Sequence, residues 1–209
     1  KNGKGIITRK EYVAYLGSAE EFKKFLFESA ARAGYGKVKQ VVFIGDGAAW
    51  IWNMCRELFP DAECILDYYH LKENVYDYAK ALYPANEQKS HAWAETAMNH
   101  AHEGEIDDIL NMIKEAPKPM GMKGNVVNLE TYITHNKERM NYPEYRKKGY
   151  YIGSGMVESG HKIVLQKRMK QAGMRWGLAG AQYMAALRAK FESKQWNEVI
   201  DVIYSKMAS

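Results

Sequence analysis

Two short apolar runs, set one helix-length apart, constrain this chain more than anything else in it. Val38 to Ile44 is almost continuously apolar, the composition of a strand covered on both faces, and Glu63 to Tyr69 is a second such run. Between them, Ala48 to Phe59 carries Trp50, Ile51, Met54 and Leu58 at helical spacing before Pro60 stops it. Strand, helix and strand at this spacing form a βαβ unit, so the two strands are expected to be parallel neighbours. Asp46 closes the first strand inside Gly45-Asp46-Gly47, and Asp67 closes the second, with His70 three residues on. Parallel neighbours release their ends on one edge, so Asp46 and Asp67 are expected together there. In open α/β sheets that carboxyl edge is where functional groups collect. Gly45 and Gly47 allow close approach of a ligand or a helix. Both acids also fit plain turn chemistry, as N-caps of the helices that follow, with His70 hydrogen-bonded near Asp67.

The remainder reads as one more strand and many helices. Gly5 to Leu16 is rich in β-branched and aromatic residues with partial alternation, and is expected to be a strand. Ser18 to Glu21 has capping-box spacing and opens a helix with Phe22, Phe25, Leu26 and Ala30 on one face, ended by Gly34 and Gly36. No strand pattern follows between His70 and Met140. Leu71 to Leu82, Asn86 to His102, Glu105 to Glu115 and Val126 to Met140 read as helices, with Pro117, Pro119, Gly121 and Gly124 breaking the chain before the last of these. Tyr142 to Gly155 reads as a loop. Helices are then expected from Met156 to Gln171, Leu178 to Ser193 and Trp196 to Lys206. The expected organisation is a core from 1–70, an all-helical insertion over 71–151, and C-terminal helices over 152–209 that complete the core.

A third acid stands in a different setting. Glu158 follows Gly153-Ser154-Gly155-Met156-Val157 at the start of a helix, where the helix dipole favours a carboxylate. A basic run follows: Lys162, Lys167, Arg168, Lys170 and Arg175, with Met169, Met174 and Trp176 interleaved. Aromatics among cations suit bases and phosphates, whereas an ordinary solvated face with a Glu158–Lys162 pair is the plainer reading. The net charge of +5 and pI near 9.0 suit a polyanionic partner. Cys55 and Cys64 lack the spacing of a zinc site or disulfide framework and read as buried free thiols in a reducing compartment. His91, His100 and His102 show no ligand spacing and read as surface polar positions. No apolar run approaches the roughly 20 residues that cross a bilayer, and no signal pattern opens the chain, so a soluble, intracellular protein is expected.

Three blocks carry a resemblance. They are Ile44 to Trp52, Phe59 to His70 with its Asp-x-x-His ending, and Gly153 to Ser159 continued through Arg168-Met169-Lys170, Gly173 to Trp176 and Ala185 to Arg188. With them the chain resembles the DDE-type transposases of bacterial insertion sequences, most closely the Kra-type group related to Mutator-like elements. The resemblance implies an α/β fold with a ribonuclease-H-like core, a mixed sheet with flanking helices, and an all-helical insertion before the helix bearing the catalytic Glu. It implies metal-dependent DNA strand cleavage and strand transfer on transposon ends and target DNA, by a homo-oligomer assembled on that DNA in a prokaryotic-type cytoplasm at the nucleoid. Asp46 and Glu158 would be catalytic acids and metal ligands for two Mg2+ or Mn2+ ions, and Asp67 and His70 accessory residues. Lys162, Lys167, Arg168, Lys170, Arg175 and Trp176 would contact DNA. Magnesium takes hard oxygen ligands from a few carboxylates plus substrate phosphate, which suits that assignment. The family's first acid has no counterpart here: Gly5 to Leu16 carries no Asp, and Glu11 is poorly placed to replace it. The chain, opening at Lys1 without an initiator Met, is therefore expected to be a fragment holding two of three metal ligands. The competing expectation is a DNA-binding module that has lost catalysis.

Overall fold

Val42–Gly45 (β1) and Glu63–Leu66 (β2) pair in parallel, with Val42 beside Glu63 and Gly45 beside Leu66. Ala49–Leu58 (α2) joins them, so the βαβ unit is present as expected. The second strand ends three residues earlier than its apolar run, because Asp67 caps a helix that starts at Tyr68. The computed structural model describes residues 7–119 and 128–207. Those residues fall into two compact units, one within 40–154 and the other within 6–39 and 155–209.

The sheet goes no further. Among the described residues β1 and β2 are the whole of it, and most of the remaining chain is helical. This overturns the expected ribonuclease-H-like core with its mixed sheet. The expected strand over 5–16 is part of the reason: its described residues, 7–16, are irregular. Instead of a ladder, Tyr12 N donates to Ser193 Oγ at 2.8 Å and Leu16 N to Gln182 Oε1 at 2.5 Å. β-branched and aromatic residues fit a pleated, half-buried surface but cannot create one without a partner strand. Here the aromatics pack on helices, Tyr15 stacking on Phe25 with ring centres 4.9 Å apart.

In the first unit, Tyr68–Leu82 (α3) and Glu87–Glu103 (α4) pack as a pair. Leu71, Val75 and Leu82 of α3 are buried, each worth about 1.5–3 kcal/mol of transfer free energy. Ala94, Ala97 and Ala101 recur along one face of α4 and are fully buried, small enough to let a neighbouring helix come close. Ile106–Glu115 (α5) and Leu129–Asn136 (α6) extend this core through Ile109, Ile113 and Ile133. The expected helix over 126–140 thus begins at Leu129 within the described residues, and Lys137–Arg139 tightens into a 3-10 turn. Tyr142–Lys147 (α7) is helical where a loop was expected. Pro143 lies in its first turn, where no backbone donor is needed, so it suits the start of a helix.

The second unit opens on Ala19–Ala33 (α1), with the expected capping box in place: Ser18 Oγ accepts from Glu21 N, and Ser18 N donates to Glu21 Oε2, both at 3.2 Å. Gly155–His161 (α8), a π-helical turn over Lys162–Gln166 and Lys167–Met169 (α9) replace the single expected helix. Leu178–Glu192 (α10) and Trp196–Met207 (α11) follow. Glu11 is tied into this unit, accepting from Ser29 Oγ at 2.8 Å, Arg32 at 3.0 Å and Arg9 at 2.9 Å. Burial raises its pKa, but hydrogen bonds with Ser29, Arg32 and Gln195 and the Arg32 charge outweigh it and hold the carboxyl below the usual range. Among the described residues no helix is long and apolar enough to cross a membrane.

Gly47 is a turn position that the first unit holds tightly. Its φ is +100°, and a Cβ there would lie 2.6 Å from the Tyr132 ring and 3.1 Å from Asn136 Nδ2. A left-handed non-glycine residue costs about 1–3 kcal/mol before any clash. Gly47→Ala is expected to lower unfolding stability by about 3 kcal/mol with the m-value unchanged, read from urea melts. An unchanged midpoint would contradict the packing of α6 over this turn.

Candidate functional site

The carboxyl edge of the two-stranded sheet is built as the sequence leads one to expect, with helices completing it. Asp67 N donates to Gly45 O at 2.8 Å, extending the ladder by one rung and bringing Asp46 and Asp67 to the same edge. The strand-end carbonyls are met by two tyrosines from the helical stretch: Tyr132 Oη donates to Asp46 O at 2.8 Å, and Tyr142 Oη to Leu66 O at 3.1 Å. Burial, reinforced by the charges of Asp46 and Asp67 and opposed by a hydrogen bond with Asn74, pushes the Tyr132 phenol well above its ordinary value. Burial does the same for Tyr142. Both therefore remain neutral donors. Trp52 Nε1 donates to Asn136 Oδ1 at 2.8 Å, and Asn136 Nδ2 to Tyr132 O at 2.9 Å, which fixes α6 against α2. Nothing local in the sequence marks Tyr132, Asn136 or Tyr142 for this work, because their partners lie 76 to 86 residues away.

The two acids of that edge differ in what they have left to offer. Asp46 is half-buried, and its Oδ1 accepts from Ala48 N at 2.9 Å in a tight turn. That is its one side-chain hydrogen bond among the described residues, so Oδ2 stays open. It is not the N-cap of α2, a position held by Ala48. Asp67 is 2% exposed and fully engaged. Its Oδ1 accepts from Tyr69 N at 2.9 Å as the N-cap of α3, and its Oδ2 accepts from Ser154 N at 3.1 Å and from Ser154 Oγ. As an oxygen donor to a hard cation, Asp46 fits and Asp67 does not. His70 is not hydrogen-bonded to Asp67. Its Nδ1 is buried without a hydrogen-bond partner, and Glu73 Oε2 stands 3.8 Å off, beyond hydrogen-bond range.

In the second unit, Glu158 lies in the first turn of α8 and is exposed. The Glu158–Lys162 surface pair does not form: Glu158 has no ion pair or hydrogen bond among the described residues. Lys162, Lys167, Arg168, Lys170 and Arg175 are all exposed and likewise unpaired with acids among the described residues. The sequence explains why. From Ser159 to Phe191 there is no Asp or Glu, so this run has no negative charge of its own. Trp176 is half-buried and donates from Nε1 to Met169 O at 3.2 Å, folding the 170–177 loop back toward its helix. It supports the basic segment structurally, and its ring is not freely displayed for stacking. Farther along, Arg188 and Lys190 are taken up by Glu192 and Glu198. The π turn at Lys162–Gln166 changes the helical register inside the basic run, a feature concentrated at functional sites.

The histidines read as surface positions include one grouping that spacing did not reveal. His100 Nδ1 lies 2.7 Å from Glu105 Oε2, and with Asp108 these donors fall within 4.8 Å of one another where α4 turns into α5. The two acids are exposed, and the contact is an ordinary surface pair.

Comparison with curated proteins and with solved structures gives no significant match. A family model does match, over residues 6–202, a span that contains Asp46, Asp67, Glu158 and the whole basic run. By that match the chain belongs to the Uncharacterised protein family (UPF0236).

Proposed function

We propose that this chain binds DNA through the Lys162–Arg175 segment and serves metal-dependent DNA strand cleavage and strand transfer, the activity its sequence blocks resemble. The observation that carries the reading is the acid-free run from Ser159 to Phe191, with five exposed Lys and Arg side chains that no acid of the described residues neutralises. A soluble domain normally intersperses both signs on its surface, and an uncompensated basic segment is the electrostatic footprint of a phosphate backbone. Asp46, with an open carboxylate oxygen at a strand end of the first unit, and Glu158, exposed and unpaired among the described residues of the second, are each a hard oxygen donor of the kind magnesium or manganese takes. Such an ion would supply Lewis-acid stabilisation of a phosphoryl oxygen. Asp67 is left out of the ligand set, since its oxygens are already occupied, and acts by holding the Ile152–Ser154 loop.

The binding half is tested by a salt titration on a DNA duplex. Each phosphate contact contributes about −0.9 to the slope of log K against log salt. Replacing Lys167, Arg168 and Lys170 with Gln is expected to weaken binding for all sequences alike and to make the slope shallower by about 2–3. Affinity that does not respond to salt, or a triple variant that binds like the parent, would overturn the assignment.

A further inference from the structure

Cys55 and Cys64 lie nine residues apart in sequence, one on α2 and the other on β2, and their sulfur atoms are 3.0 Å apart. Both are free thiols, Cys55 buried at 1% exposure and Cys64 half-buried. A disulfide bond is about 2.05 Å long, so the two sulfurs need to close by about 1 Å. The βαβ unit sets this pair up, because α2 packs back on the sheet whose second strand carries Cys64. Burial and the neighbouring sulfur push the Cys55 thiol up to about 12, so Cys55 is not the sulfur that reacts first. Cys64 is the one that a small oxidant can reach.

We propose that Cys55 and Cys64 are a reversible disulfide site that a peroxide closes. The Cys64 sulfur takes one oxygen from the peroxide, forming a sulfenic acid and releasing water, or an alcohol from an organic peroxide. Cys55 Sγ then attacks Cys64 Sγ. The S–O bond breaks, the departing hydroxide leaves as water with the Cys55 proton, and the peroxide has accepted the two electrons that the dithiol gave up. Small thiols reverse the change by exchange through a mixed disulfide. The closed bond ties α2, which leads away from the Asp46 turn, to β2, which ends at Asp67. It thereby restrains both arms of the acidic edge. The proposal is independent of any role in DNA chemistry.

Intact-mass measurement on the whole chain, after treatment with a small molar excess of hydrogen peroxide and alkylation, tests it. The expected product has lost about 2 Da and takes up no alkylating agent, reverts with dithiothreitol, and melts about 5 °C higher than the reduced protein. In Cys55→Ser the same treatment is expected to leave oxygen on Cys64, with no such product. Wild-type protein that retains oxygen on Cys64 while Cys55 still alkylates, or that cross-links between chains, would overturn the proposal.

Discussion

Asp46→Asn and Glu158→Gln are each expected to abolish DNA strand cleavage and joining in magnesium or manganese, while leaving the folded protein and its DNA affinity in place. The substitutions keep shape and remove charge. An Asn at 46 still offers its side-chain oxygen to Ala48 N, so the turn that Asp46 makes at 2.9 Å survives. Glu158 is exposed and makes no hydrogen bond or ion pair among the described residues, and a change of this kind moves stability by no more than about 0.5 kcal/mol. Loss of a carboxylate that holds a catalytic ion is different in scale. An ion's stabilisation of transition-state charge amounts to several kcal/mol, so a rate loss of about a thousandfold or more is expected. Circular dichroism and urea melts measure the fold, gel shift measures binding, and a labelled-duplex assay with and without chelator measures the chemistry. Full activity in either variant would remove that residue from the mechanism. DNA binding by the parent, with no cleavage under any metal, would leave the binding segment standing alone as a non-catalytic module.

How much of this could be read in advance follows the range of the interactions. The βαβ unit, the capping box at Ser18, the helices α3, α4 and α5 and the shared edge of Asp46 and Asp67 rest on local periodicity and cap chemistry, and these were legible within a few residues. The strand over 5–16 was not, because strand formation needs a partner that no local pattern supplies, and the described residues give it side-chain acceptors at Ser193 and Gln182 instead. The mixed sheet failed with it, since that expectation came from the resemblance and not from further strand patterns in the chain. The loop expected over Tyr142 to Gly155 failed in the opposite sense, since a helix with Pro143 in its first turn opens that stretch. The edge itself was half visible. Its acids lie in recognisable turns, but the tyrosines and the asparagine that complete it arrive from α6 and α7 through contacts spanning 76 to 86 residues. The basic run was legible as charge. That no acid answers it became plain only once the surrounding side chains had positions.

Asp67→Ala is expected to do what Asp46→Asn does not: destabilise the first unit by about 3 kcal/mol. The cap of α3 accounts for about 1 kcal/mol of that, since Tyr69 N loses its acceptor at 2.9 Å. The rest comes from Ser154, whose N–H at 3.1 Å and whose hydroxyl both end on Asp67 Oδ2, in a setting where the acid is only 2% exposed. A buried donor left without an acceptor costs about 1–3 kcal/mol, more than the bond itself contributes. The same loop is held by Tyr68 N donating to Ile152 O at 2.9 Å, so the Ile152–Ser154 segment is expected to loosen without the whole unit unfolding. Amide exchange at Tyr69 and Ser154 should then accelerate more than exchange in the α3–α4 core, and the urea midpoint should fall with little change in slope. Asp67→Asn keeps one oxygen for Tyr69 N but turns an amide group toward the Ser154 donors, which places it between the parent and Asp67→Ala in stability. A metal ligand would behave otherwise, losing the chemistry with the midpoint unmoved, because its charge serves the ion and not the fold. The buried, fully engaged carboxylate puts Asp67 on the side of stability, whereas Asp46 keeps an oxygen free for the proposed chemistry.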